Sequence, residues 1–229
     1  LKKESTHKVP IWLMRQAGRY MEEYRSIRSK FPNFIKMCKN SDAITDITLQ
    51  PIKKFNFDAA IIFSDILVIL DAIDINVDFI EGIGPMVSRP TNIKKFKELP
   101  DILNDKKVSP CYDSIKHIKA KIDKPLIGFA AAPWTLAAYF IEGKITKDLS
   151  IVKKFSYENS KDMDNLIDLF TKLIIDHLKN QIKAGVDIIQ IFDTHAFQMD
   201  YYLHEKYSIK QLKKISKEIR KDYKEIPIS

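Results

Sequence analysis

The stretch Gly185-Val186-Asp187-Ile188-Ile189-Gln190-Ile191-Phe192-Asp193-Thr194-His195 carries the strongest fold signal in the chain. A near-continuous apolar run rich in Ile and Val fits a strand covered on both faces, which points to a parallel sheet. Ahead of it, Asp164 to Ala184 places Leu166, Ile167, Phe170, Leu173, Ile174, Ile175, Leu178 and Ile182 at helical spacing, and Gly185 stops the helix. The strand then runs into three polar residues, Asp193-Thr194-His195. Helix, buried strand and polar strand end form one unit of an α/β protein.

Working outward, the same unit recurs. Ala59-Ala60-Ile61-Ile62-Phe63 leads into Ser64-Asp65, and Leu126-Ile127-Gly128-Phe129 leads into Ala132-Pro133-Trp134-Thr135. A further strand is expected to open at Ile226, where the sequence stops at Ile226-Pro227-Ile228-Ser229. Ser41 is expected to cap a helix running toward Phe55, with Pro51 as a kink. Ile209, Leu212, Ile215 and Ile219 mark another helix. Ile75-Asn76-Val77-Asp78-Phe79 alternates, and with Met86-Val87 beyond Gly82 and Gly84 it reads as an exposed hairpin. Residue patterns leave two architectures open, an open doubly wound sheet and a (β/α)8 barrel. In both, ligands bind at the carboxyl ends of the strands.

Composition excludes several classes. The 229 residues (26.6 kDa) are 45% hydrophobic and 30% charged, a globular mixture with enough apolar side chain for a core. The longest apolar stretch, Ala59 to Leu70, is broken by Ser64 and Asp65 and is too short to span a bilayer. The polar opening Leu1 to Lys8 leads into no apolar signal segment, although the chain starts at Leu1 rather than Met. Cys38 and Cys111 give neither a disulfide framework nor metal-ligand spacing, so a reducing cytoplasm is the expected setting. No His/Cys/Glu cluster has zinc spacing, and no glycine-rich nucleotide loop is present. The formal charge of +8 comes mostly from lysines that alternate with acids, so no nucleic-acid partner is expected. Only six glycines occur, so each is expected to have a backbone reason.

Two constellations carry chemistry. Asp65 sits between Ile61-Ile62-Phe63 and Ile66-Leu67-Val68. Its carboxylate is expected to be partly desolvated, either capping the next turn or facing a strand-end pocket and held ionised by donors. The second constellation is Met14-Arg15-Gln16-Ala17-Gly18-Arg19-Tyr20. Arg15 and Arg19, four apart, are expected on one side of a helical turn, with Gly18 allowing close approach. Four of the six arginines (Arg15, Arg19, Arg25 and Arg28) fall in this one segment, which favours anion recognition over a solvated basic helix. Asp193 and His195 lack a nucleophile elbow, and His7, His117, His177 and His204 are scattered and read as surface residues. Trp134 and Tyr139 read as core on spacing alone.

Taken together, the blocks resemble the uroporphyrinogen decarboxylase family. They are Trp12 to Tyr20, Leu49-Gln50-Pro51, Ile62 to Leu67, Gly128 to Leu136 with Tyr139 and Glu142-Gly143, and Gln190 to Ala196; Glu81-Gly82 and Gly84-Pro85 match its hairpin. The resemblance spans essentially the whole chain as one domain, residues 1–229. It implies a (β/α)8 barrel that removes carbon dioxide from the four acetate groups of uroporphyrinogen to give coproporphyrinogen, with no metal and no cofactor, as a homodimer. Arg15 and Arg19 would pair with substrate carboxylates, and the Gln16, Ala17 and Gly18 backbone would line the same mouth. Asp65 would accept the pyrrole N–H groups and stabilise the cation formed on protonation, Tyr139 would contact substrate, and Thr194 would stand where the family often has Ser. A related class of the same fold, the corrinoid methyltransferases, binds zinc through His and Cys, which neither cysteine here is placed to do.

Departures from the family pattern are Glu22 for proline, Ala131 for glycine, Phe197 for glycine and Lys144-Ile145 for a glycine-rich loop. Ala131 is expected to crowd the backbone slightly. The family runs about a third longer, with a late histidine that contacts substrate. The chain is therefore expected to be a fragment or truncated form holding the N-terminal two-thirds of the barrel, with an open strand edge.

Overall fold

The computed structural model describes residues 8–90 and 92–229. The residues before Lys8, His7 among them, lie outside the described residues, as does Thr91. Three short helices open the chain: α1 (Glu22–Arg28), α2 (Phe34–Met37) and α3 (Ser41–Phe55). The first sheet strand, β1 (Ala60–Ile61), is followed by α4 (Val68–Ala72) and by the hairpin β2 (Val77–Ile80) and β3 (Gly84–Val87). Then come α5 (Asp105–Lys119), β4 (Leu126–Ala131), α6 (Pro133–Glu142), α7 (Ser150–Glu158) and α8 (Ser160–Ala184). The chain closes with β5 (Ile188–Phe192), α9 (Tyr201–His204) and α10 (Lys210–Asp222), the last two joined by a π turn over Glu205–Ile209.

Strand order separates the two architectures left open by sequence. The sheet runs β1-β4-β5 with every pair parallel, so each new strand adds on the same side. Ile228 continues the series, forming a parallel bridge to Ile189. The Ile189 and Ile191 amides donate to Pro227 and Ser229, and the Ser229 amide donates back to Ile189. A doubly wound sheet would send the chain back to the other side of β1. Successive addition in one direction is the order of a β/α barrel. The described residues hold three paired strands and the start of a fourth, fewer than two-thirds of eight. The N-terminal helices and the hairpin account for the rest of the length.

Packing follows from the patterns. All six residues of β4 are buried, as expected for a strand covered on both faces. The 25-residue α8 buries the stripe Leu166, Ile167, Phe170, Leu173, Ile174 and Leu178, and ends on Gly185 at φ 116°, where a side chain would be strained. One apolar cluster extends from Ile35 to Ile219, and a smaller one gathers Met21, Tyr24, Met37, Ala43 and Ile47. The hairpin forms as expected, but Val77 and Val87 are buried in the main cluster, so only one of its faces is exposed. The open side of the sheet borders a cavity of about 510 Å³ lined by Ile191, Ile228 and α10 residues Leu212, Lys217 and Arg220.

Three local expectations are corrected. The cap of α3 is Asn40, whose side chain accepts the Ala43 amide at 2.8 Å; Ser41 is already the first helical residue. His177 is not on the surface. It is 2% exposed, bonds the Tyr112 hydroxyl at 2.9 Å, and burial lowers its pKa to about 4. Ala131 keeps its register opposite Phe192, and the next amide, Ala132, donates to Phe192 at 2.8 Å, so the ladder is not disturbed there.

The helix α7 is capped from a distance. Its own N-cap, Leu149, has φ 50° and no side-chain bond. Instead the buried Glu142 of α6 accepts the Ile151 and Val152 amides at 2.9 and 3.0 Å, and its second oxygen accepts the Thr146 hydroxyl. Glu142→Ala would leave two helix-end donors unsatisfied in a buried place, at a cost of about 2 kcal/mol. Urea denaturation checks this; an unchanged midpoint would show that the cap contributes nothing.

Candidate active site

The ends of β4 and β5 bring their polar residues together by direct bonds. After β4, the Thr135 hydroxyl donates to Asp193 at 2.9 Å and accepts the His195 amide at 3.4 Å, while the Trp134 indole donates to the His195 carbonyl at 3.3 Å. The π turn directs Ser208 inward, so that its hydroxyl holds the other Asp193 oxygen at 2.6 Å. Asp193 is thus a brace between β5, α6 and the last helices. Burial raises its pKa and these two hydroxyls oppose the rise.

Asp65 lies just beyond β1. Its Oδ1 accepts the Leu67 amide at 2.8 Å, so it does cap the following turn. It is not held ionised as strongly as expected. Burial pushes its pKa up to about 6, against the opposing effects of the Leu67 amide and the Arg15 charge. Tyr139, 9% exposed on α6, has its pKa raised by burial and then by the Asp65 charge, with Arg15 opposing. Asp65, Arg15 and Tyr139 therefore share one electrostatic neighbourhood although they are widely separated in sequence.

The arginine segment is not helical. Residues 14–20 form consecutive turns and bends, and α1 begins only at Glu22. Long-range bonds explain this: the buried Gln16 amide reaches the Ala59 carbonyl at 2.6 Å and the Ile61 amide at 3.2 Å. Ile11 exchanges bonds with Asp58 at 2.9 and 2.8 Å. Tyr20 donates its hydroxyl to the Gln16 carbonyl, and Arg25 donates to the Arg19 carbonyl at 2.8 Å. Arg15 and Arg19 are left exposed. A β-carbon at Gly18 would meet only the Tyr20 ring, at 3.5 Å, and its φ is not left-handed, so nothing in the chain itself demands glycine there. Thr194 is exposed beyond β5.

Sequence reasoning placed little weight on two polar groups that the structure brings forward. His195 is 8% exposed, its ring lies edge-on to Tyr139 at 5.4 Å, and Nδ1 pairs with Gln198 at 3.1 Å. Its Nε2 and the Ser64 hydroxyl are buried without a protein partner among the described residues. Burial lowers the His195 pKa, which favours the neutral ring. The signal available in sequence was position alone, since both follow a strand end. Among the described residues no group of three His, Cys, Asp or Glu could hold a metal ion, and both cysteines are buried and free.

Fold and strand ends together define a class, an incomplete β/α barrel with its polar groups gathered at the carboxyl ends of the strands, as in barrel enzymes. The particular family follows from comparison with known proteins. The chain belongs to the uroporphyrinogen decarboxylase (URO-D) family, whose model matches residues 1–229. The uroporphyrinogen decarboxylase of Rickettsia bellii (strain RML369-C) is 45% identical over 228 residues, covering 99% of this chain and 67% of the relative. That of Aquifex aeolicus (strain VF5) is 43% identical, covering 94% of this chain and 65% of the relative. The chain spans about two thirds of the length of the curated relatives it matches. Among solved structures, a methyltransferase from Methanosarcina mazei aligns with a TM-score of 0.71 at 17% identity, over 94% of this chain and 64% of the other. At that identity the likeness concerns the barrel fold alone.

Proposed function

We propose that the site performs the carboxy-lyase reaction for which its relatives are named, acting on the acetate groups of uroporphyrinogen in porphyrin and heme biosynthesis. The observation that carries this reading is the neighbourhood of Asp65. A desolvated carboxylate at a strand end stands within the influence of the Arg15 charge and of a buried tyrosine. Decarboxylation needs somewhere for the electron pair of the breaking carbon–carbon bond to go. A pyrrole ring protonated on carbon supplies that sink: the pair flows into the ring, carbon dioxide leaves, the methylene takes up a proton to become methyl, and the ring carbon gives up the proton it gained, so that one proton is consumed overall. No metal or cofactor is needed for this balance.

The roles follow from charge and reach. Arg15 and Arg19 offer bidentate forks to the substrate's side-chain carboxylates, with the backbone of Gln16, Ala17 and Gly18 beside them. Asp65 accepts pyrrole N–H groups and faces the ring as it becomes cationic. A carboxylate whose own ionisation is disfavoured by burial gains most from a new positive charge, which is electrostatic stabilisation aimed at the transition state. Tyr139 and Thr194 border the substrate with hydroxyls. The buried Ser64 hydroxyl and His195 Nε2 are further polar atoms available to a ligand. A cytoplasmic homodimer belongs to the same reading.

Anaerobic incubation of the chain with uroporphyrinogen tests it, with coproporphyrinogen as the expected product. A folded chain that neither turns over nor binds uroporphyrinogen would overturn the proposal. Arg15→Lys keeps the charge but loses the fork, so KM should rise roughly tenfold with kcat changed less. An unchanged KM would remove Arg15 from carboxylate binding.

A further inference from the structure

The two edges of β1 are satisfied in different ways. Toward β4 the ladder is regular: the Ala60 amide donates to Pro125 and the Ile62 amide to Ile127, at 2.9 and 3.0 Å. On the opposite edge no strand is present among the described residues, yet three odd-numbered backbone groups are paired with side chains. Gln16 Nε2 donates to the Ala59 carbonyl, Gln16 Oε1 accepts the Ile61 amide, and Thr48 Oγ1 accepts the Phe63 amide at 2.9 Å. The side-chain amide of Gln16 thus stands where a neighbouring strand would present its own backbone. Gln16 is 2% exposed, while Arg15 and Arg19 on either side of it are exposed.

We propose that Gln16 is a positioning residue. Its amide fastens the arginine segment to the outer edge of β1, so that Arg15 is held at the end of the strand that carries Asp65. The inference rests on the reading of Arg15 and Arg19 as carboxylate ligands. It gives the Gln16 side chain a role beside the expected one of its backbone at the substrate mouth, because both ends of the side-chain amide are spent on β1. The clamp also explains why a segment with helical arginine spacing is not a helix. A helix would have to withdraw Gln16 from two buried backbone groups, each costly to leave unpaired.

A built-in comparator is available. Gln181 of α8 clamps β4 in the same manner, bonding both the Phe129 amide and carbonyl at 2.9 and 2.8 Å, but it lies next to no arginine segment. Gln16→Met and Gln181→Met each keep side-chain size and remove two buried hydrogen bonds. The test measures three things in both variants and in the unmodified chain: hydrogen exchange of the Ile61 amide under native conditions, the rate of tryptic cleavage after Arg15 and Arg19, and binding of uroporphyrin by fluorescence. Only Gln16→Met should accelerate Ile61 exchange and cleavage after both arginines, and it alone should weaken uroporphyrin binding, roughly tenfold or more.

If Gln16→Met does not fold, Gln16→Glu, which keeps the acceptor for Ile61, is measured in its place; cleavage and binding should change while Ile61 exchange changes less. Equal responses in the Gln16 and Gln181 variants, or an arginine segment no more cleavable than before, would overturn the positioning role. An unmodified chain that binds no uroporphyrin, with the exchange and cleavage pattern intact, would instead reject the proposed substrate and leave the clamp standing.

Discussion

Asp65→Asn is expected to lower turnover of uroporphyrinogen by about 10²- to 10³-fold or more, the range seen when a preorganised electrostatic group is removed from a transition state. The same variant is expected to make the chain more stable at neutral and alkaline pH. In the folded chain burial raises the Asp65 pKa from 3.8 to about 6. A carboxyl raised on folding contributes stability that is complete below about pH 3.8 and is lost as pH rises through about 6. At pH 8 the ionised, desolvated group costs the fold on the order of 2–3 kcal/mol. Asparagine retains an oxygen for the Leu67 amide and carries no charge, so the local turn persists while this cost disappears. Comparing urea midpoints at pH 4.5 and pH 8 reads the effect: the variant should gain at pH 8 and gain little at pH 4.5. Activity of the unmodified enzyme should fall below about pH 6 as Asp65 takes up its proton. A variant that is inactive and also less stable at pH 8 would mean that Asp65 serves the fold rather than the reaction.

The largest effect expected on stability alone belongs to Gly128→Ala. A β-carbon there would lie 2.4 Å from Gln181 Oε1 and 3.0 and 3.2 Å from the two Val186 methyl groups. Gln181 cannot step aside freely, because its amide holds the amide and carbonyl of Phe129 in the centre of the buried strand β4. Admitting one methyl group therefore means overpacking the sheet–helix interface and giving up at least one buried hydrogen bond. Together these come to about 3 kcal/mol. Gly18→Ala is the useful contrast, since its new carbon would make only ordinary contact with the Tyr20 ring and should move stability little. Thermal or urea unfolding of the two variants decides the point. A Gly128→Ala chain as stable as the unmodified one would show that α8 can withdraw from β4 without penalty.

These two positions show different degrees of legibility. Asp65 could be found in sequence because a charged residue interrupting an apolar run is visible locally, and its place after a strand marks a ligand-facing position in any parallel α/β protein. The direction of its pKa shift was not legible. It depends on how deeply the fold buries the carboxyl and on how close Arg15, 50 positions earlier in the chain, comes to it. Gly128 was recognisable as an unusual residue inside a strand, but the neighbour that forbids a side chain there, Gln181, is 53 positions away. His177 was misread for the same reason. A histidine in an amphipathic helix looks solvated until α5 brings Tyr112 against it.

By itself, the sequence determined the alternation of buried strands and amphipathic helices, because periods of 2.0 and 3.6 residues are local properties of the backbone. It also determined which strand ends carry an acid, a tyrosine helix and a histidine, and it carried the family blocks. Tertiary structure alone decided the rest. It added successive strands on one side of β1, choosing barrel order over a doubly wound sheet. It drew the arginine segment out of a helix by giving the Gln16 amide two buried partners on β1. The physical reason is the same in both cases: a hydrogen-bonding group on a strand edge is satisfied by whatever the fold brings beside it, and spacing along the chain cannot reveal what that will be.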